Sequence, residues 1–406
     1  MKKTSITVFV IVFFICGINS LSAQFTFSGI LDSTVSMNAG AGDSPPFLLG
    51  LEEYANIRFQ TKMREAVTIN GSVNLLAVSG SYAKAAADMA ALNSNSSFLS
   101  TSYTGGENFA AAIELERLYF RLNGEHIDFD FGLMRIPFGY GQLWGPSDFL
   151  NPRNPIKPDA RPRAVLGTTL TWYPLDELKL LGFYAAPRNS LETEGKGSMV
   201  GMTMDYHWDK ASIQALYSFE IPNEISSEMP NSIYSSKFGI HRAGLSLKAD
   251  IVIGLVIDAL YTYNHEAETG IDGLALTAGF DYSFLDGDLI VLAEYLYSGD
   301  KSSTSFYGGG SFFNNHYLYT GITYNFNSFT SMSVGLISCF DDISFMPTVS
   351  VTHQMYQGVT LIISAQAPMD RDLFNKDGNR GELGPIRPGL NAGSYFNFNA
   401  KVRIRF

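Results

Sequence analysis

Cysteine is nearly absent from this chain: Cys16 and Cys339 are the only two among 406 residues. Nor is there an excess of basic charge, with 28 Lys and Arg against 39 Asp and Glu and a net charge of −11, which argues against a nucleic-acid partner. Past the N-terminus no run approaches the 20 or so apolar residues that a membrane helix needs, and mean hydropathy is only +0.04. Residues 314–340 lack Asp, Glu, Lys and Arg, but scattered Asn, Ser, Thr and Gly exclude a membrane helix there. The six His are dispersed without an HExxH pair, and no local pattern nominates a nucleophile and its base. No catalytic residue, metal site or cofactor is therefore expected. Gly308-Gly309-Gly310 is not followed by a strand–loop–helix pattern and is read as a loop tip rather than a phosphate cradle.

The one helix-like apolar stretch lies at the start. Lys2 and Lys3 precede an apolar core from Ile6 to Ile15, and Ser22-Ala23-Gln24 offers a cleavage site after Ala23. Residues 1–23 are thus expected to be a signal peptide. Phe14 and Ile15 stand where small residues precede a lipidated cysteine, so Cys16 reads as part of the leader. Cleavage would remove two Lys and no acid, taking the charge from −11 to −13. It would also leave Cys339 without a disulfide partner.

What fills the rest, 24–406, is one texture of short alternating strands. In Tyr395–Phe406, Phe396, Phe398, Ala400, Val402, Ile404 and Phe406 alternate with Tyr395, Asn397, Asn399, Lys401, Arg403 and Arg405. A period of two separates an apolar face from a polar one. Ile127, Phe129, Phe131 and Leu133 alternate with Asp128, Asp130 and Gly132 in the same way. Between Ile113 and Leu122 the phase breaks once, and a bulge near Glu116-Arg117 would restore it. We count 18 such strands, with 16 as the alternative. Their connections alternate between short turns, such as Gly124-Glu125 and Asp286-Gly287-Asp288, and longer loops, such as 136–163 and 368–393. Aromatic residues collect where strands meet the short turns, among them Phe59, Trp172, Tyr206, Trp208, Tyr324, Tyr356 and Phe406. The expected fold is an all-β transmembrane antiparallel barrel, because only a closed barrel leaves no unpaired strand edge in lipid.

The segment after the fifth predicted strand is the most distinctive. Residues 135–163 hold six prolines, four aromatics and the stretch Trp144-Gly-Pro-Ser-Asp148-Phe-Leu-Asn151-Pro152, too rigid for a linker. Arg135, Arg153, Lys157, Arg161 and Arg163 crowd it and are candidates for a pore constriction that favours anions. Equally, they could pin the loop to wall acids or face the cell surface. Candidate lumen-wall residues are Glu114, Glu116, Arg117, Arg121, Asp128, Asp130, Lys401, Arg403 and Arg405. Residues 81–92 read as a short helix in the second long loop. Residues 375–382 read as a Gly- and Asn-rich loop rather than a calcium site, since Leu373 would be the first ligand.

In architecture the whole mature chain resembles the porin-like outer-membrane barrels, including the phosphate-selective-porin-like group. In motif the resemblance rests on Trp144–Pro152. It implies a third external loop folded into the lumen and recognition of the strand ending in Phe406 by the barrel assembly machinery. It also implies residence in the outer membrane among its lipids. The expected function is passive diffusion of small hydrophilic solutes, with anion preference, and a homo-oligomer such as a trimer fits the same class. A hydrophobic-solute transporter and a barrel scaffold for adhesion remain the alternatives.

Overall fold

The computed structural model describes residues 24–406, apart from 43–46, 64–65, 82, 84–100, 107, 154, 156–161, 163, 187–196, 223–237, 267–268, 300–313, 372–380 and 385–391. The expected signal peptide, the helix expected within 81–92 and most of 375–382 lie outside the described residues.

Among the described residues nineteen strands follow one another: β1 (Gln24–Gly42), β2 (Phe47–Met63), β3 (Val67–Gly80), β4 (Thr101–Gly105), β5 (Phe109–Asn123), β6 (Ile127–Met134), β7 (Val165–Leu175), β8 (Leu178–Ala185), β9 (Met199–Trp208), β10 (Ala211–Glu220), β11 (Ile240–Asp250), β12 (Gly254–Asn264), β13 (Leu274–Phe284), β14 (Leu289–Ser298), β15 (His316–Asn327), β16 (Thr330–Cys339), β17 (Ser344–Tyr356), β18 (Val359–Gln366) and β19 (Ala392–Arg405). All but β4 form a continuous antiparallel wall, closed where β1 pairs with both β2 and β19. The wall therefore has 18 strands, not 16. At the closure Gly29 and Phe406 exchange backbone hydrogen bonds of 2.8 and 3.2 Å. The Phe406 ring lies so close to Gly29 that a Cβ there would collide with it.

The sequence reading missed β4, which pairs with residues 110–114 of β5. The need for it is geometric. β6 pairs only with Leu118–Asn123 of β5 and then leaves the wall after Met134, so the upper part of β5 would present an unpaired edge. β4 covers that edge. The phase break in β5 is a bulge: Ser72 faces Arg117 and Val73 faces Leu115, so Glu116 is the extra residue.

The faces are inverted relative to a soluble barrel. On β1, Asp32, Thr34 and Ser36 are buried inside, while Phe27, Leu31, Val35 and Met37 are exposed outside. Trp172, Tyr206, Trp208, Tyr324, Phe326, Tyr356 and Phe406 are exposed outside beside the short turns. An outward apolar band edged by aromatic rings is what lipid and its interfaces select.

Candidate functional site

Between β6 and β7, residues 135–153 lie in the lumen, and their shape is set by their own polar groups. The Asn151 Oδ1 accepts the Ile136 N–H at 2.7 Å, and the Asp148 Oδ1 accepts that of Phe138 at 3.4 Å. Arg153 donates to the carbonyls of Gly141 and Gln142 at 3.3 and 2.9 Å. Asp148 and Asn151, the polar members of the Trp144–Pro152 stretch, thus tie the return limb to the outgoing limb.

Wall residues then hold the clasped loop. The Glu294 carboxylate on β14 accepts three consecutive backbone N–H groups, from Gln142 (3.1 Å), Leu143 (3.1 Å) and Trp144 (2.6 Å). Charge-assisted bonds of this kind are stronger than neutral ones. On β12, Asp258 accepts from the Ser147 hydroxyl and, at 2.7 Å, from Ser246. Gln214 on β10 accepts the Gly139 N–H at 2.7 Å and itself donates to Asp205 on β9 at 2.5 Å. Gly139 has φ +72° and its Cα lies against Asp258, so neither the conformation nor the space admits a side chain.

Apolar groups fill the rest of the interface. Ile136, Phe138 and Leu150 pack with Phe183, Leu216 and Leu260 of the wall. Trp144, wholly buried, packs with Leu296, Tyr317, Ile337 and Met346. Arg242 on β11 makes a buried 2.8 Å ion pair with Glu220 and lies 5.1 Å from the centre of the Phe149 ring. Burial pushes the Asp148 carboxyl up to about 7, with nearby Asp258 adding to the shift and Arg153 opposing it.

A second strap comes from the last external loop. Glu382 receives the Tyr317 hydroxyl, the Glu382 N–H reaches Asp342 at 2.6 Å, and the Leu383 N–H reaches Ser344 at 3.0 Å. Cys339 joins Asp342 and Glu382 within 4.8 Å, but both acids already serve the strap as acceptors.

The loop thus covers the wall from β8 to β17. The remaining arc, β18–β19 and β1–β6, carries the predicted wall residues on inward positions. Glu116 accepts from Arg135 (2.6 Å), Asn56 (2.7 Å) and Ser72 (2.8 Å), with Arg117 4.0 Å away. Glu114 accepts from Asn74 at 2.9 Å. Arg121 and Asp130 form a two-pronged pair at 2.7 and 2.8 Å, and Asp128 accepts from Tyr173 at 3.3 Å. Arg403 grips Asp32 with two bonds of 2.8 Å, and Lys401 lies 3.9 Å from the same carboxylate. Arg405 is exposed beside the short-turn rim. Lys157, Arg161 and Arg163 lie outside the described residues. Arg153 faces its own loop's carbonyls rather than a wall acid.

The residues that dock the loop, Asp205, Gln214, Asp258 and Glu294, escaped the sequence reading. Their signal was there: Glu294 is the only charged residue of β14, and Asp258 of β12, each on the inward phase of an otherwise uncharged strand. A lone acid so placed needs donors from elsewhere.

No protein-family model matches the chain, and no curated protein matches it in sequence. Solved structures do match in shape. OccAB3 of Acinetobacter baumannii superposes with a TM-score of 0.58 at 10% identity, over 94% of this chain and 99% of that one. A BenF-like porin from Pseudomonas fluorescens gives 0.57 at 9%, over 95% and 98%. The outer membrane protein OpdK of Pseudomonas aeruginosa gives 0.55 at 9%, over 94% and 98%. With its 18-strand wall, outward apolar band and inward loop, the chain has the fold of the porin-like outer-membrane β-barrels.

Proposed function

We propose that this barrel is an outer-membrane channel for passive diffusion of small hydrophilic solutes, with a preference for anions. The observation that carries the reading is the asymmetry of the lumen. The loop occupies the side walled by β8–β17 and leaves the arc of β18–β19 and β1–β6 lined by Asn, Ser, Arg, Lys and carboxylate groups. Such a lining supports passage of hydrated solutes and speaks against a hydrophobic-solute transporter.

The preference for anions rests on the basic side chains that line the open arc. Arg403 and Lys401 gather at Asp32, and Arg135 and Arg117 at Glu116, which sets basic groups along the open arc. Fixed charge in a narrow passage raises the local concentration of the opposite ion. Barrel shape alone would also serve an adhesin or an enzyme scaffold, and conduction separates these. Purified protein in a planar bilayer should give stable conductance steps, with a reversal potential in a salt gradient set by anions. A barrel that inserts and never conducts would sink the channel reading. A cation-set reversal potential would sink only the preference.

A further inference from the structure

Residues 381–384 of the last external loop lie on the turn between β16 and β17 as a strap. Wall side chains grip it. Tyr317 and Asn314 donate to the Glu382 carboxylate, and Asp342 and Ser344 accept the N–H groups of Glu382 and Leu383. Earlier in the same loop, Phe345 and Met369 exchange two backbone bonds of 2.9 Å. Among the described residues no such backbone pair joins 381–384 to the wall. The strap is therefore held through side chains, without a ladder.

What the strap helps to cover is Trp144. Leu383, 2% exposed, enters the same buried cluster as Trp144, in which Leu296, Tyr317, Ile337 and Met346 form the wall side. Trp144 is fixed by polar bonds at its backbone only. Its backbone N–H is bound by Glu294 at 2.6 Å, whereas its indole N–H is buried without an acceptor. A buried donor without a partner is costly, and contact with water removes that cost. Packing alone keeps the indole in place, and Leu383 is part of that packing.

We propose that the strap is a latch on Trp144, and that its release turns the indole into the passage as a flap that lowers conductance. The wall side of the indole is filled by Leu296, Tyr317 and Met346, and Glu294 keeps the loop backbone docked. A freed side chain then moves toward the lumen. There its N–H meets water, which offsets part of the lost apolar burial. Seated and released indole are two states of one side chain, and the strap biases the balance between them. The electrical signature of the latch rests on the channel reading; its structural signature does not.

The test uses the full chain, purified and folded by heat-modifiability. With Trp172→Phe and Trp208→Phe in place, Trp144 is the only tryptophan left, and its emission should be blue and resist acrylamide. Tyr317→Phe removes a donor to Glu382 and keeps the ring, and Leu383→Ala thins the cover. Each should shift the emission to the red and make it open to quenching. In planar bilayers both should show brief downward steps roughly tenfold more often than the parent, the scale set by losing one hydrogen bond or a comparable contact. Adding Trp144→Leu should abolish those steps. Strap variants with a shielded Trp144 and parent-like recordings, or steps that persist with Trp144→Leu, would each overturn the latch. A barrel that never conducts would remove the channel reading, and the emission of Trp144 in the strap variants would still decide the latch.

Discussion

The two halves of the lumen are built from the same alternating strands but use their inward acids in opposite ways. On the docked half, Asp258 and Glu294 accept from the loop's hydroxyl and backbone N–H groups and are sealed from water. On the open half, Asp32, Glu116 and Asp130 accept from arginines, and those cations line the passage. A carboxylate paired with backbone donors fixes a shape. A carboxylate paired with arginines sets charged groups along the passage.

The sharpest way to break this contrast is to remove a docking acid. Glu294→Ala would strand three loop N–H groups, of which the buried one of Trp144 costs about 1–3 kcal/mol. The loop should leave the wall, with a clear rise in single-channel conductance. Normal conductance with normal heat-modifiability would show that Glu294 is not the anchor.

At the barrel seam, which lies in the open half, Phe406→Asp should lower the amount of assembled, heat-modifiable barrel in outer-membrane fractions. It replaces an exposed ring that rests on Gly29 with a charge at the membrane edge. Unchanged abundance would remove the terminal ring from the assembly signal.

A smaller effect should appear with pH. Asp148 is held neutral by burial up to about 7, well above the ordinary Asp value near 3.9. The docked loop therefore gains stability from neutral Asp148 that is complete below about pH 4. That gain is lost as pH rises through about 7. Conductance or its noise should increase between pH 5 and 8, and Asp148→Asn should flatten the dependence. A profile unaltered by that substitution would place the titration elsewhere.

The smallest effect belongs to a single open-half charge. Lys401→Gln removes the second cation on Asp32 but leaves the two-pronged Arg403 bond. The reversal potential should move modestly toward cations with conductance nearly unchanged. No movement would mean that this charge does not act on the passing ions.

Much of the wall was legible because a strand that separates lipid from lumen must alternate, and alternation survives in a single sequence. The bulge at Glu116 was legible for the same reason, since it breaks the phase. β4 was not: it is five residues long, and its place follows from β6 leaving the wall, which no local pattern announces. The inward loop could be located by its prolines and the Trp144–Pro152 stretch. Its attachment could not, because Glu294 lies 150 residues from Trp144, and only closure of the barrel brings them together. Arg153 was legible as a loop cation, but its partners are carbonyls, which sequence does not mark.

The bulge in β5 has a bearing on how such a wall can change length. Losing one residue from a regular strand turns everything beyond it inside out, exchanging lipid-facing and lumen-facing side chains. At Glu116 the account differs. Its removal would bring Leu115 and Leu118 into one unbroken alternation, with Ile113 and Phe120 still facing lipid. The acid that gathers Arg135, Asn56 and Ser72 would vanish, while the membrane would meet the same surface as before. A deletion there would edit the interior and spare the exterior, a freedom that the regular stretches of the strand do not have.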